Sequence, residues 1–175
     1  MATEDGFMWI TAGAKPDIHG ETTDDDMKAN KAFELTSWNI GAFNGQTIGS
    51  ATHGAGAGKG EYSAFSCTKG VDSASMALFQ HALAGTHLTE ANVLIRRSGG
   101  TDQKQIPWIQ LKMLKVYISD ISFSGGGGMI SEAVSFNCGA MEIKYVPQDD
   151  KGAPGTPIPA VWSKITNKPE LKVSK

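Results

Sequence analysis

The stretch Ile109–Ile118 reads IQLKMLKVYI, in which large apolar residues alternate with polar ones and then change phase. Leu111 and Met113 lie on one face of an extended chain, whereas Val116 and Ile118 follow the opposite parity. Alternation with a period of two is typical of a strand that is buried on one side. The stretch therefore predicts a core β-strand with an irregularity between Met113 and Val116.

Similar patterns recur on both sides of this stretch. Apolar residues alternate over Ala91–Ile95, before a turn predicted at Gly99-Gly100, and continue over Ile121–Tyr145 around an open Gly125–Gly128 loop. Shorter strands are predicted at the following positions: Phe7–Ile10, Phe33–Ile40 with a β-bulge near Thr36-Ser37, and Tyr62–Thr68. A polar, solvated loop is expected over Ile18–Asp26.

One helix is predicted, from about Ala74 to Ala84, with Asp72 or Ser73 as its N-cap and Gly85 at its end. Met76, Phe79 and Leu83, together with Gln80, have the spacing of a helix face, so this face is expected to pack on the strands. Many short strands and one helix predict a mainly β fold. We expect a β-barrel of two packed antiparallel sheets with one flanking α-helix.

The length of 175 residues fits a single domain spanning 1–175. Within it, the segment 41–60 is rich in glycine and is expected to form a long flexible loop. From about Pro147 the chain is expected to be an extended tail, partly packed through Trp162 and Ile165.

The charge of the chain limits its partners. Lys and Arg number 16 and Asp and Glu number 18, so the net charge of −2 lacks the basic footprint of a nucleic-acid binder. Arg96, Arg97 and Lys104 form a small basic group, which fits a rim contact with another subunit better than a nucleic-acid site.

No apolar run is long enough to cross a membrane, and the acidic N-terminus lacks a signal-peptide pattern. We therefore expect synthesis in the cytoplasm and no membrane insertion.

No stretch of the sequence predicts an active site, a cofactor site or a metal site. The glycine-rich segment 53–60 departs from a Walker A loop because His53 replaces its first glycine and Gly60 replaces its hydroxyl. Ser66 and Lys69 match the Ser-x-x-Lys spacing of penicillin-recognising enzymes, but the companion motifs are absent. This spacing alone leaves a hydrolase as a third hypothesis.

The two cysteines, Cys67 and Cys138, are too few and too far apart for a metal or redox motif. We expect two buried, reduced thiols, with one long-range disulfide as the alternative.

The ordered set of short motifs resembles the haemolysin-coregulated protein (Hcp) family over about Phe7–Trp162. The motifs that carry the resemblance are FMWI (7–10), IHGET (18–22), LTSWNIG (35–41), FSCTK (65–69), DSAS (72–75), LAGTH (83–87), the stretch 91–100 that ends in RRSGG, and Phe136 with Tyr145. The segment 41–60 and the tail after Pro147 depart from the family pattern.

This resemblance implies a β-barrel similar to phage tail-tube proteins and a structural function in type VI secretion. It implies that the chain closes into homohexameric rings, which stack into a tube that carries effector proteins and contacts spike and sheath proteins. It also implies export from the cytoplasm to the extracellular space or into a target cell, with no cofactor. The expected ring or stacking contacts are Gly45, Gly54, Gly56, Gly58, Lys59, Arg96 and Arg97.

Two observations leave alternatives open. Short strands with several aromatic residues also fit a barrel that binds a small ligand, which requires an enclosed apolar cavity. Apolar residues of both parities around Leu94, Leu114 and Val116 suggest a contact face outside the barrel, although ordinary packing under the helix explains them equally well.

Overall fold

The computed structural model describes residues 4–11, 13, 15–45, 47–48, 55–56, 59–98 and 105–174. Twelve strands and two helices follow one another in these residues. They are β1 (Asp5–Thr11), α1 (Asp25–Lys28), β2 (Phe33–Leu35), β3 (Ser37–Asn39), β4 (Ala42–Asn44), β5 (Thr47–Ile48), β6 (Ala55–Gly56), β7 (Gly60–Tyr62), β8 (Phe65–Gly70), α2 (Ser73–Ala84), β9 (Leu88–Ser98), β10 (Gln105–Gly126), β11 (Met129–Tyr145) and β12 (Ile158–Ser163).

The main sheet closes on itself at Thr36. Its strand order is β2-β1-β9-β10-β11-β8-β3, with β12 paired to β11. The first and last strands of this order, β2 and β3, are separated in the chain by Thr36 alone, whose N–H donates to the Thr68 carbonyl at 2.8 Å. The β-bulge predicted here is therefore a point at which the chain changes pairing partner. The expected barrel is confirmed, and its two layers are halves of one sheet.

The long antiparallel pair β10–β11 contains the predicted phase changes. Lys115 has a φ of 53°, a left-handed value that non-glycine residues rarely adopt, and it lies between the buried Met113 and Val116. A second irregularity follows between Ile118 and Asp120, where the register of β10 shifts against β11. Each break lets the next apolar residues face the core again, so the strand bends around the barrel without exposing them.

Large side chains fill the barrel interior. The fully buried residues with the largest volumes include Phe33, Phe65, Phe136, Met8 and Met113. The rings of Phe65 and Phe136 lie 6.5 Å apart. The described side chains of the barrel interior pack against one another, so the interior gives no support to the small-ligand alternative.

The segment before β2 folds back over the outside of the barrel. The polar loop predicted over Ile18–Asp26 contains the start of α1, which Asp24 caps by accepting hydrogen bonds from the Asp26 and Met27 N–H groups. Met27 packs with Phe7 and Leu94 in a second buried cluster on the outer sheet face. The apolar parity at Leu94 therefore reflects packing within the chain, beneath α1.

Helix α2 lies within one residue of the predicted bounds, but the face predicted to pack on the strands is turned outward. Asp72 is its N-cap in a capping box with Ser75, and Gly85 ends it with a φ of 60°. The buried residues are small or polar apart from Leu78, namely Ala74, Ser75, Ala77, Leu78 and His81. The prediction that Met76, Phe79 and Leu83 face the core is wrong, because a different face of α2, which includes Leu78 and His81, is the buried one.

The glycine-rich segment 41–60 is partly ordered into strands rather than being a loop throughout. Strand β4 pairs with β7, and β5 pairs with β6. These two ladders form separate two-stranded sheets between β3 and β8 in the chain, and we call the described residues of 42–62 the arm. In the tail, Trp162 packs against the core, and Ile165 lies against Gly139, where an added Cβ would stand 2.8 Å from the Ile165 Cδ1 atom.

Leu111 is 2% exposed and lies in the core between β9 and β11. We expect Leu111→Asp to prevent folding, because an unpaired carboxylate in this position costs several kcal/mol, about as much as the stability of a typical domain. Circular dichroism and solubility measure the effect. The neighbouring Gln110→Asp, on the outer face, is the control, and a soluble, native-like Leu111→Asp protein would contradict the face assignment.

Candidate assembly surfaces

An apolar patch covers the outward face of α2. Met76 is 61% exposed, Leu83 is 76% exposed and Phe79 is 38% exposed. The Phe79 ring lies 5.7 Å from that of Phe123 on β10, so the patch continues from the helix onto the sheet. We call these four residues the α2 patch. Apolar side chains grouped in this way mark an interaction surface more often than single exposed ones do.

A buried charge cluster fixes the start of α2 to the barrel wall. Lys69 is 1% exposed, and its Nζ donates to the Gly70 carbonyl at 2.9 Å, to Asp72 Oδ1 at 2.7 Å and to Ser75 Oγ at 3.2 Å. Glu132 Oε1 lies 2.8 Å from the same nitrogen. Asp72 and Glu132 are therefore both ion-paired with one buried ammonium group. This cluster sets where α2 begins and how it presents its patch.

Half of the sheet has two open edges. Strand β9 pairs with β10 only as far as Leu88 opposite Val116, whereas β11 pairs with β10 to its end. Tyr117–Gly126 therefore has no backbone partner on one side among the described residues. At the other side of the order β10-β11-β8-β3, β3 pairs only with β8 among the residues that the structure describes, and its open edge continues into β4. Open edges invite a further strand to pair with them.

The outer face of these four strands carries small hydroxyl groups. Ser37 Oγ lies 2.7 Å from Thr68 Oγ1, Ser66 Oγ lies 2.8 Å from Ser135 Oγ, and Ser124 Oγ lies 3.0 Å from Ser131 Oγ. These cross-strand pairs use the hydroxyls on one another and leave a low, nearly uncharged surface. We call it the hydroxyl face, and it lies opposite the side on which Phe123 meets α2.

A groove of about 640 Å³ lies outside the barrel, between the base of the arm and β12. Its aromatic lining comes from Phe43 on β4, Tyr62 on β7 and Trp162 on β12. Phe43 is 59% exposed, whereas Tyr62 is buried and donates its hydroxyl to the Cys138 carbonyl at 3.1 Å. The groove thus has a fixed floor and a solvent-facing aromatic wall.

The turn between β10 and β11 is a second apolar projection. Met129 is 80% exposed and Ile130 is 63% exposed. Neighbouring residues on a strand point to opposite faces, so this tip is apolar on both of its sides.

The predicted contact residues fall in several places. Gly45 and Lys59 lie at the ends of β4 and β7, on the arm, and Lys59 lines the groove. Gly56 lies in β6. Gly54 and Gly58, like Lys104 and the predicted turn at Gly99-Gly100, lie outside the described residues.

Arg96 and Arg97 are engaged within the chain. Arg96 is 5% exposed, donates to both carboxylate oxygens of Asp24 and stacks over the Phe7 ring at 4.6 Å. Its hydrogen bonds lower the pKa of Asp24 below the usual value, because they stabilise the ionised carboxylate. Arg97 donates to the Val146 carbonyl at 3.1 Å and lies over the Trp108 ring. Arg96 therefore ties the α1 segment to the barrel.

The motif Ser66-x-x-Lys69 does not form a catalytic pair. Ser66 and Lys69 lie on opposite faces of β8, with Ser66 on the hydroxyl face and Lys69 in the buried charge cluster.

No group of three His, Cys, Asp or Glu side chains in the described part of the chain is placed to hold a metal ion. The described helices include none that is long and apolar enough to cross a membrane.

Both cysteines are free, buried thiols, and the disulfide alternative is excluded. Cys67 lies opposite Val134, and Cys138 follows four positions further along β11, about 13 Å away at strand spacing and beyond the reach of a disulfide. Burial raises the pKa of Cys67 to about 12 and that of Cys138 to about 11. Thiols with such values remain protonated and unreactive.

Sequence reasoning missed the tip and the open edges. Met129 and Ile130 follow four glycines. This change from glycine to large apolar residues is the feature of the sequence from which an exposed tip could have been predicted. The open edge of β10 had no such signal, because it depends on where β9 begins.

Comparison with known proteins assigns the chain to a family. The family model described as type VI secretion system effector, Hcp, matches residues 7–145, which is most of the chain. The chain belongs to the Hcp family. Hcp is a family of structural tube proteins, so the chain is a structural protein and not an enzyme.

Individual relatives agree with this assignment. Protein hcp1 from Pseudomonas aeruginosa is 30% identical over 101 residues, covering 56% of this chain, and the match spans 61% of the length of that relative. A solved structure of a type six secretion system protein is 30% identical, with a TM-score of 0.82 over 95% of this chain and 99% of that one. Hcp1 from Salmonella typhimurium, 22% identical, has the same fold, with a TM-score of 0.74 over 96% of this chain and 99% of its own.

We expect Lys69→Met to lower the free energy of unfolding by about 3–5 kcal/mol, because it leaves the buried carboxylates of Glu132 and Asp72 without a cation. Urea denaturation measures the loss. The double variant Lys69→Met/Glu132→Met is the matched control and should recover most of it. A single variant as stable as the unmodified chain would show that the cluster does not hold α2.

We expect Asp24→Asn to lower the free energy of unfolding by about 1–3 kcal/mol at neutral pH, because it removes a charged hydrogen-bond acceptor from Arg96. Since the pKa of Asp24 is lowered by folding, its contribution is present above about pH 4 and is lost as the pH falls through the folded value. Urea denaturation from neutral to acid pH should therefore give a flatter profile for the variant. The exposed Asp25→Asn is the control, and parallel acid profiles of all three proteins would contradict the prediction.

Proposed function

We propose that the chain is a type VI secretion tube subunit that associates with copies of itself into hexameric rings. The observation that carries this proposal is the pair of unlike open edges on one four-stranded half-sheet, Tyr117–Gly126 on β10 and the β3–β4 edge. An interface between two different patches is heterologous, and it closes into a ring when the rotation between copies permits.

The strand directions favour this junction. Successive strands in the order β10-β11-β8-β3 are antiparallel. The β3 edge of one copy would therefore meet the β10 edge of the next in antiparallel fashion, and the alternation would continue around the ring. The α2 patch lies beside the β10 edge through the contact between Phe79 and Phe123. A neighbour that pairs with this edge would also cover part of that patch.

The hydroxyl face is the proposed lining of the conduit. Short side chains leave a low surface, and hydroxyl groups already paired with each other offer few strong contacts to a passing protein. Asp120 is the charged residue that shares this parity on β10. Such a surface suits effector proteins that must move along it or leave it, because neither charge attraction nor a large apolar area retains them.

The remaining partners follow from family membership. Hcp proteins belong to type VI secretion and are secreted. We infer that the rings stack into a tube, that the tube contacts spike and sheath proteins, and that the chain passes from the cytoplasm to the extracellular space or a target cell. Gly45, Gly54, Gly56, Gly58 and Lys59 of the segment 41–60, with Arg96 and Arg97, remain proposed contact residues between subunits or rings.

Light scattering after size-exclusion chromatography tests ring formation. We expect the unmodified chain to have the mass of six copies, and the double variant Phe79→Asp/Leu83→Asp to shift toward single copies, since it places carboxylates in an interface. Asn30→Asp, an exposed change of charge beside α1, is the control and should leave the rings intact. A monomeric unmodified chain at high concentration, with no rings in negative-stain images, would overturn the proposal.

A further inference from the structure

The described methionines fall into two classes by exposure. Met76 on α2 is 61% exposed, and Met129 at the turn between β10 and β11 is 80% exposed. The others are buried in the two core clusters, namely Met8, Met27, Met113 and Met141. A peroxide in solution therefore meets two methionine side chains of the described chain directly, and it meets the buried ones only when the fold opens.

Oxidation by hydrogen peroxide turns a methionine side chain from apolar to polar. A sulfur lone pair attacks one peroxide oxygen, so that an S–O bond forms while the O–O bond breaks. The second oxygen takes the proton of the first and leaves as water. Sulfur is oxidised by two electrons, and the peroxide is reduced by the same two. Methionine sulfoxide reductases convert the resulting sulfoxide back to the thioether.

Met76 lies beside the open edge of β10. Glu132 is the Cα partner of Phe123 on β10, and its carboxylate lies in the buried charge cluster at the start of α2. The Phe79 ring, further along the helix, lies 5.7 Å from the ring of the same Phe123. The first turns of α2, which carry Met76, therefore run alongside β10 within the stretch 117–126, which is unpaired on one side among the described residues.

We propose that Met76 is a site of reversible oxidation that controls association between copies of the chain. Peroxide oxidises it in the single copy, where it is exposed, and the sulfoxide keeps that copy out of the ring. The inference rests on the ring assembly proposed above, because the copy that pairs with the β10 edge is the one that covers Met76. In a ring the same side chain is shielded from peroxide. Association and oxidation thus oppose each other at this residue.

The surroundings of Met76 explain why a sulfoxide there opposes association. The other side chains of the α2 patch, Phe79, Leu83 and Phe123, offer no hydrogen-bond donor. A sulfoxide that a neighbour covers on this patch loses the hydration of its oxygen, a cost that the thioether does not have. Met129 lies outside the α2 patch and serves as an exposed internal reference.

Peptide mapping by mass spectrometry after peroxide treatment tests the reactivity of the site. In single copies, obtained by dilution or with the Phe79→Asp/Leu83→Asp variant, we expect Met76 and Met129 to be oxidised about tenfold faster than the buried methionines, or more. In rings, we expect the oxidation of Met76 to be slower by about the same factor, while that of Met129 is unchanged. Equal rates for Met76 in rings and in single copies would overturn the inference.

Light scattering after size-exclusion chromatography measures the effect on association. We expect oxidation of single copies to raise the concentration at which rings form by about tenfold or more. Methionine sulfoxide reductases with dithiothreitol should reverse this change. Met76→Leu keeps the apolar volume without a reactive sulfur, so it should form rings equally well before and after peroxide treatment. Met129→Leu is the matched control and should remain as sensitive as the unmodified chain.

The outcomes separate this inference from the proposed function. Rings that form at the same concentration after Met76 is oxidised would refute the inference and leave ring assembly intact. An equal loss of rings in peroxide-treated Met76→Leu would do the same. An untreated chain that stays single at high concentration would refute the proposed function, and this inference with it.

Discussion

The backbone ladder between β10 and β11 is the interaction on which the other features depend. These strands have 22 and 17 residues, whereas the neighbouring β9 and β8 have 11 and 6. The long pair therefore extends beyond its neighbours, and the extra length has one unpaired side and an apolar tip. The core closes around the other part of the same pair. Folding and the surfaces available for assembly are thus set by the same set of hydrogen bonds.

The alternation of apolar residues predicted the core strands because side-chain direction is a local property of extended chain. The phase change between Met113 and Val116 located the Lys115 irregularity, and the break near Thr36 was located correctly but interpreted as a bulge. Which strands pair across that break is decided by residues distant in the chain. Local alternation therefore predicted the barrel and could not predict its closure or its open edges.

The face of α2 was predicted wrongly for a related reason. Periodicity shows that Met76, Phe79 and Leu83 share a side of the helix, and it does not show what that side meets. Here the buried side contains alanines and a serine together with Leu78 and His81, and the Lys69 cluster lies at the first turn. An apolar stripe on a helix is evidence for contact, and in this chain the stripe is largely exposed in the single subunit.

The burial of Cys67 and Cys138 has a consequence for the export that we propose, from a reducing compartment to an oxidising one. Neither sulfur atom reaches the surface or its counterpart, and both remain protonated at physiological pH. Exposure to air therefore leaves both thiols unpaired and unmodified. In the assembly proposed above, neither cysteine links one copy to another, so copies joined in this way separate without a reductant.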